Sequence, residues 1–284
     1  NKLNISIDKQ KTFNFPYLKE NKVAIFSGPC SIEGEWMIPW FNELKNLNVD
    51  GFRGGAYKPC TYPILEEKKG WKEGLREKGI DILKQIRKKY NLPIISEIMT
   101  PEQFTKENLD TIDVIQVGTR NFQNYPLLDK LGELGKPVLL KRGTWGTIDE
   151  ILGACERILV KGNDKIAICL RGVVGMPSYR HVFNSIRWAP DLMAISALKE
   201  LTNIPIFFDP NHSTGYRNFV EPISKAAIAM GVDGLIIECH PDPPNSISDA
   251  AQAISIDTLK NIITFNNKLS NLNEKKDNDI NYYS

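Results

Sequence analysis

With 284 residues, the chain is long enough to bury the core of one large α/β domain without disulfides to hold it. Hydrophobic residues make up 42% and charged residues 25%, which excludes a disordered chain and a bundle of membrane helices. A formal charge of +2 offers nucleic acid or an anionic membrane nothing to bind, so any preference for anions must be local.

The five cysteines, Cys30, Cys60, Cys155, Cys169 and Cys239, are odd in number, widely spaced and free of any CxxC pair. Several lie in apolar runs, where a reduced, buried thiol is the expected state. The opening NKLNISIDKQKTFNF lacks the apolar stretch of a signal peptide. No segment approaches roughly 18 uninterrupted apolar residues, so no membrane partner is expected and a reducing cytoplasm is the expected setting.

After a polar lead-in over residues 1–22, short apolar runs alternate with longer amphipathic stretches. The runs are VAIFS (23–27), VDGFRG (49–54), PIISE (93–97), DVIQVG (113–118), PVLLKRG (137–143), KIAICLRG (165–172), PIFFDP (205–210) and DGLIIE (233–238). Between them, segments such as 70–90 and 147–162 carry apolar residues at helical spacing. Near-continuous apolar strands each followed by a helix indicate a parallel sheet buried on both faces. Eight such units predict a single-domain (β/α)8 TIM barrel over residues 23–265, in preference to an open doubly wound sheet of five or six strands. The Asn-, Lys- and Asp-rich stretch 266–284 reads as a polar tail that frays.

In such a barrel, chemistry belongs at the C-terminal ends of the strands, and the unusual residues fall there. Cys30 follows strand one, Arg53 and Lys58 strand two, Glu97 closes strand three, and Arg120 follows strand four. Lys141 and Arg142 end strand five, Arg171 strand six, Asp209 and His212 follow strand seven, and Glu238 and His240 follow strand eight. One basic residue at a strand end is ordinary. A ring of them facing one mouth repels itself unless an anion neutralises it, so a small species carrying phosphate, carboxylate or both is the natural occupant. Cys30, His212, Glu238 and a further acid such as Asp249 could supply a thiolate, an imidazole and two carboxylates, a set suited to Mn, Fe, Co or Zn and ill suited to Mg. Spacing alone leaves the other reading open, with Cys30 a buried thiol and His212 a loop hydrogen-bonder.

The strings GPCSIE, FRGGAYKP, SEIMTPE, IQVGTRNFQN, KPVLLKRG, LRGV, FDPNHSTG and GLIIECHPDPPNSISDAAQAI together resemble the 3-deoxy-D-arabino-heptulosonate 7-phosphate (DAHP) synthases. The likeness is to the short bacterial group that also resembles 3-deoxy-octulosonate 8-phosphate synthases, and it uses every barrel strand. It implies an aldol-type condensation of phosphoenolpyruvate with an aldose phosphate, erythrose 4-phosphate, releasing phosphate at the start of the shikimate pathway and so serving aromatic amino acid biosynthesis. It implies a divalent metal, Mn, Co, Fe or Zn, on Cys30, His212, Glu238 and Asp249, and phosphoenolpyruvate on Arg53, Lys58, Arg120, Lys141 and Arg171. By analogy, Arg120 and Arg171 face the phosphate and the other three lie nearer the carboxylate. Glu97 is the expected orienter of the water that adds at C2. Lys58 is the expected proton carrier, provided desolvation and neighbouring cations lower its pKa. The expected assembly is a homo-oligomer, a dimer or tetramer.

The sequence also departs from the family. The loop after strand two normally reads Lys-Pro-Arg-Thr-Ser/Thr, its arginine and hydroxyls gripping the aldose phosphate. Here it reads Lys58-Pro59-Cys60-Thr61-Tyr62, so Thr61 is retained as a substrate contact while Cys60 and Tyr62 replace the arginine and a small hydroxyl residue. Either another cation reaches that phosphate or the acceptor is a different, possibly unphosphorylated aldehyde. Arg187 and Asp191 keep the ends of a second family motif whose middle is replaced by Trp188, Ala189 and Pro190; these and Trp145 could reshape the aldehyde end, or the tryptophan could merely pack under a loop. The short lead-in leaves room for a hairpin or lid and for no regulatory domain. A non-catalytic barrel that binds a phosphorylated metabolite is the alternative of another class, against which the retained metal and cation positions speak.

Overall fold

The structure, a computed structural model, describes residues 8–60, 73–174 and 188–280. Each of the eight apolar runs forms a strand: β1 (Ala24–Gly28), β2 (Gly51–Arg53), β3 (Ile94–Glu97), β4 (Val114–Val117), β5 (Val138–Lys141), β6 (Ile166–Leu170), β9 (Ile206–Phe208) and β10 (Gly234–Glu238). They pair in parallel in the order β1-β10-β9-β6-β5-β4-β3-β2, and β1 returns to β2 to close the barrel. A two-residue ribbon, β7 (Gly172–Val173) with β8 (Ala189–Pro190), stands outside it. The described helices are α1 (Phe41–Asn46), α2 (Glu77–Tyr90), α3 (Lys106–Thr111), α4 (Tyr125–Leu134), α5 (Ile148–Leu159), α6 (Met193–Leu201), α7 (Pro210–Thr214), α8 (Arg217–Ala229) and α9 (Ile256–Ile280). The architecture is a (β/α)8 barrel.

The two-residue period of a strand sorts side chains into two cores. Ala24, Phe26, Ile95, Val114, Leu139, Ala167, Cys169, Phe207 and Ile236 point into the barrel, while their neighbours, such as Ile25, Leu140 and Ile237, pack outward under the helices. Two residues beyond the inward apolar layer, the same alternation aims polar groups at the mouth. Ile95 is followed by Glu97, Val114 by Gln116, Leu139 by Lys141, Cys169 by Arg171, Phe207 by Asp209 and Ile236 by Glu238. The site is therefore the top layer of the barrel core, continued in polar residues.

The lead-in closes the opposite end. Phe15 is buried against Phe207, with ring centroids 5.5 Å apart, and Phe207 in turn meets Phe26 at 6.0 Å. Asn14 is tied to Asp164, and Lys19 and Lys22 bridge as a small hairpin. The expected hairpin is present, but over its described residues the lead-in is a floor and not a lid on the mouth.

Two boundaries differ from those expected. Over its described part, 73–90, the segment 70–90 becomes helical at Glu77, because Gly74 adopts φ +85° and the chain there bonds back to strand-end backbone, with Lys58 N–H to the Glu73 carbonyl and Arg76 N–H to the Ala56 carbonyl. The stretch after Asn266 does not begin a frayed tail: α9 runs through it to Ile280. Asn266 and Ser270 extend the buried face of Leu259, Ile262 and Ile263, and donate to the carbonyls of Val23 and Asn21 at 2.7 Å each. Polar side chains that satisfy the barrel's lower rim look, as letters, like a solvated tail.

Phe15→Ala should lower the unfolding free energy by about 3 kcal/mol, because it empties the floor of the inner core. Urea denaturation measures this, and an unchanged midpoint would show that the aromatic plug contributes nothing.

Candidate active site and metal centre

Cys30, His212, Glu238 and Asp249 converge at the mouth, each offering a ligand atom within 4.8 Å of the others. Glu238 is the last residue of β10 and fully buried. His212 sits on α7, whose N-cap Asp209 accepts from its backbone N–H at 2.9 Å. Asp209 also meets His212 Nδ1 at 2.8 Å, which turns Nε2 toward Glu238 Oε2 at 3.9 Å and Asp249 Oδ2 at 3.8 Å. Cys30 follows β1 and contacts Asp249 at 3.3 Å. Asp249 comes from the long excursion after β10 and holds φ +54°, a conformation disfavoured for a side-chain-bearing residue.

The electrostatics fit a cation. Burial disfavours the imidazolium of His212, yet the charge and hydrogen bond of Asp209, with a bond to Asp249, together lift the pKa to about 10. A proton on Nε2 thus lies between two carboxylates, where a metal would otherwise neutralise them. Burial and then Asp249 raise Glu238, whose Oε1 is buried without a hydrogen-bond partner. Its Oε2 accepts from Gln252 at 2.9 Å, and Asn211 pins its backbone on both sides. Burial works to raise Asp249, but bonds from His212 and Lys58 hold it far below the usual carboxylate range. An orphaned carboxylate oxygen beside a thiol, an imidazole and a second carboxylate is a donor set suited to a divalent first-row ion.

Beside this group lies a pocket of cations: Arg53, Lys58, Arg120, Lys141 and Arg171, with Glu97, Gln116 and Thr119. Arg53 Nη1 and Arg171 Nε are buried with no hydrogen-bond partner, although Arg171 reaches Thr119 at 3.4 Å and the His212 carbonyl at 2.9 Å. Buried guanidinium N–H groups without acceptors are costly unless an anion supplies them. Three of the five cations lean on acids. Lys141 pairs with Asp209, Lys58 with Asp249, and Arg53 lies 3.9 Å from Glu238. Arg120 donates to the Pro59 carbonyl at 3.2 Å, joining the fourth strand's loop to the second's.

Lys58 departs from expectation. Burial acts to lower its pKa, but Cys30, Asp249 and Glu238 outweigh burial and raise it, so Lys58 stands here as a charged donor. Glu97 is raised by burial against the pull of Lys141 and Gln116; one oxygen accepts from Gln116 at 3.2 Å and the other, Oε1, is buried and unpartnered. Gly118 makes room for it, since a Cβ there would collide with the carboxylate. Trp145 is exposed and packs on Phe122 with centroids 5.7 Å apart, while Trp188 lies 5.6 Å from the Arg171 guanidinium. Arg142 pairs with Asp191 at 2.6 Å and supports the strand-five loop. Thr61, Tyr62 and Arg187 lie outside the described residues. Sequence reasoning missed the supporting roles of Asp209, Gln116, Asn211 and Gln252. Strand alternation could have found the first two, whereas the others depend on tertiary placement.

The fold and site define a barrel of enzyme type in which four residues that could hold a metal ion stand beside a pocket of cations. The DAHP synthetase I family model matches residues 6–275, and the chain belongs to that family. It is 38% identical over 248 residues to the phospho-2-dehydro-3-deoxyheptonate aldolase of Thermotoga maritima, covering 87% of this chain and 70% of that protein. It is 27% identical to a 2-dehydro-3-deoxyphosphooctonate aldolase of Desulfotalea psychrophila, covering 85% of this chain and 88% of that one. Among solved structures, the Thermotoga maritima DAHP synthase superposes with a TM-score of 0.80 at 36% identity, over 90% of this chain and 71% of that one. A truncated form of the same synthase gives 0.77 at 35% identity, over 90% and 89% of the two chains.

Cys30→Ala is expected to lose most bound Mn or Co, measured by metal analysis after gel filtration. Full metal content in that variant would remove Cys30 from the ligand set.

Proposed function

We propose that the chain condenses phosphoenolpyruvate with erythrose 4-phosphate, giving DAHP and inorganic phosphate, as its family membership implies. The observation that carries the reading is a pair of buried guanidinium groups, Arg53 and Arg171, each with one nitrogen lacking a hydrogen-bond partner, set beside four residues that could hold a metal. In this reading Arg120 and Arg171 hold the phosphate of phosphoenolpyruvate, and Arg53, Lys58 and Lys141 its carboxylate. Cys30, His212, Glu238 and Asp249 hold a divalent Mn, Co, Fe or Zn, which supplies Lewis acidity for an aldehyde oxygen.

The chain's own residues do the rest. C3 of phosphoenolpyruvate forms the new bond to the aldehyde carbon, and C2 gains positive character that water must quench. In this reading Glu97, whose Oε1 has no hydrogen-bond partner, accepts a hydrogen from that water. Loss of the C2 phosphate ester bond then releases phosphate. Lys58, charged and paired to Asp249, serves as a proton donor at the new hydroxyl. His212 acts through its placement by Asp209. Cytoplasmic residence and a homo-oligomer, dimer or tetramer, complete the proposal.

A second acceptor remains in play because of Cys60, which is half-buried beside Lys58 and has its thiol pKa raised by burial despite that lysine. A thiol forms no fork with a phosphate, and the missing charged contact costs about 1.5–3 kcal/mol. This favours a weaker grip on erythrose 4-phosphate than a family member with arginine there.

Phosphate release from phosphoenolpyruvate, assayed with a panel of aldehydes, tests the reading; a chelator should abolish it, with Mn or Co restoring it better than Mg. Arg171→Ala should weaken phosphoenolpyruvate binding by about 2 kcal/mol, roughly thirtyfold. Binding without turnover under every condition would make the chain a non-catalytic binder. For the acceptor, Cys60→Arg is expected to lower the KM for erythrose 4-phosphate about tenfold. A wild-type KM already low and unimproved by arginine would show that another cation grips that phosphate.

A further inference from the structure

Two of the four metal-group residues stand on firm supports, Glu238 within β10 and His212 on a helix capped by Asp209. The other two, Cys30 and Asp249, sit in loops separated by 219 positions. The excursion that carries Asp249 is closed at its base, where Cys239 bridges Ile254 and the backbone N–H groups of Ile254 and His240 bond across. Just past Asp249, Arg217 holds the carbonyls of Ala250 and Ala251, but the stretch leading into Asp249, which itself holds φ +54°, needs an anchor of its own.

That anchor comes from the Cys30 loop. Glu33, three residues past Cys30, puts one oxygen, Oε1, against three groups of the excursion: His240 Nε2 at 3.1 Å, the Ile247 N–H at 3.0 Å and the Ser246 hydroxyl at 3.4 Å. The imidazole's role is set by backbone, because His240 Nδ1 accepts from the Asp242 N–H at 3.0 Å, so Nε2 carries the hydrogen and donates. Beside this, Ser248 bonds Ser31 at 3.1 Å, both buried. Glu33 side-chain exposure is 8% and that of His240 is 2%, so water offers these groups little substitute.

We infer that Glu33 is a positioning residue that fixes Asp249 in the metal group by clamping its loop to the loop of Cys30. The inference rests on the metal-group reading and extends it to a residue that touches neither ion nor substrate. Removing such outer support characteristically weakens metal binding about 10- to 100-fold.

The test measures Co and Mn affinity by competition with a chromophoric chelator, on the full chain, for wild type, Glu33→Ala, Glu33→Asp and Glu33→Gln. Glu33→Ala and the shorter Glu33→Asp should raise the Kd about 10- to 100-fold and change the visible bands of bound Co as a carboxylate donor is lost. Glu33→Gln, whose amide oxygen can still accept from His240 Nε2 and the Ile247 N–H, should stay within about threefold of wild type. The urea midpoint of the metal-free protein should stay close to wild type in Glu33→Asp and Glu33→Gln, separating a local effect from general damage. Should the alanine variant fold poorly, the aspartate and glutamine pair still decides the matter. Unchanged metal affinity in Glu33→Ala or Glu33→Asp would overturn the inference, as would a loss in Glu33→Gln equal to that in Glu33→Asp. A wild type that binds neither ion would instead overturn the metal-group reading, and the inference with it.

Discussion

Charges buried at the barrel mouth must compensate one another, and the arrangement of the site follows from this. Asp209, Glu238 and Asp249 meet Lys141, Arg53 and Lys58 in a layer almost shut off from water. Buried ion pairs add little to stability, because desolvation offsets most of their attraction. What they provide is a poised balance. An anion that draws Lys141 and Lys58 toward itself leaves carboxylates uncompensated, and a divalent cation among those carboxylates frees the ammonium groups. The two kinds of ligand are thus linked through shared counter-charges, and each should favour the other.

The balance is made possible by a change of residue type along each strand. Below the mouth, inward positions are Phe, Ile, Val and Leu; one step of two residues higher they become Glu, Gln, Lys, Arg and Asp. Apolar walls lower the local dielectric and strengthen every charge above them. Phe15 completes this below by sealing the floor with an aromatic ring.

Much of this was legible in the letters. The eight strands were, because a buried parallel strand is an apolar run whatever its surroundings. The meeting of Cys30, His212, Glu238 and Asp249 was legible through the resemblance to the DAHP synthases, while spacing alone favoured a buried thiol. The behaviour of Lys58 was not, since its charge state depends on Asp249, 191 positions away, swinging into contact. Nor was the course of α9, where Asn266 and Ser270 are polar by type and buried by place. Both concern polar residues whose partners are distant in sequence, which is the information that periodicity lacks.

The four metal-group residues belong to β1, β9, β10 and the loops that follow them, which are neighbours at the seam where the first strand meets the last. No contiguous fragment short of nearly the whole barrel contains all four. The loop closed when Cys30 meets the other three is among the longest the chain can make, and its entropy must be overcome before Cys30 touches any of them. A cation held by all four would therefore recognise ring closure itself, and its binding energy would act as a latch on the last step of folding and on the first step of opening.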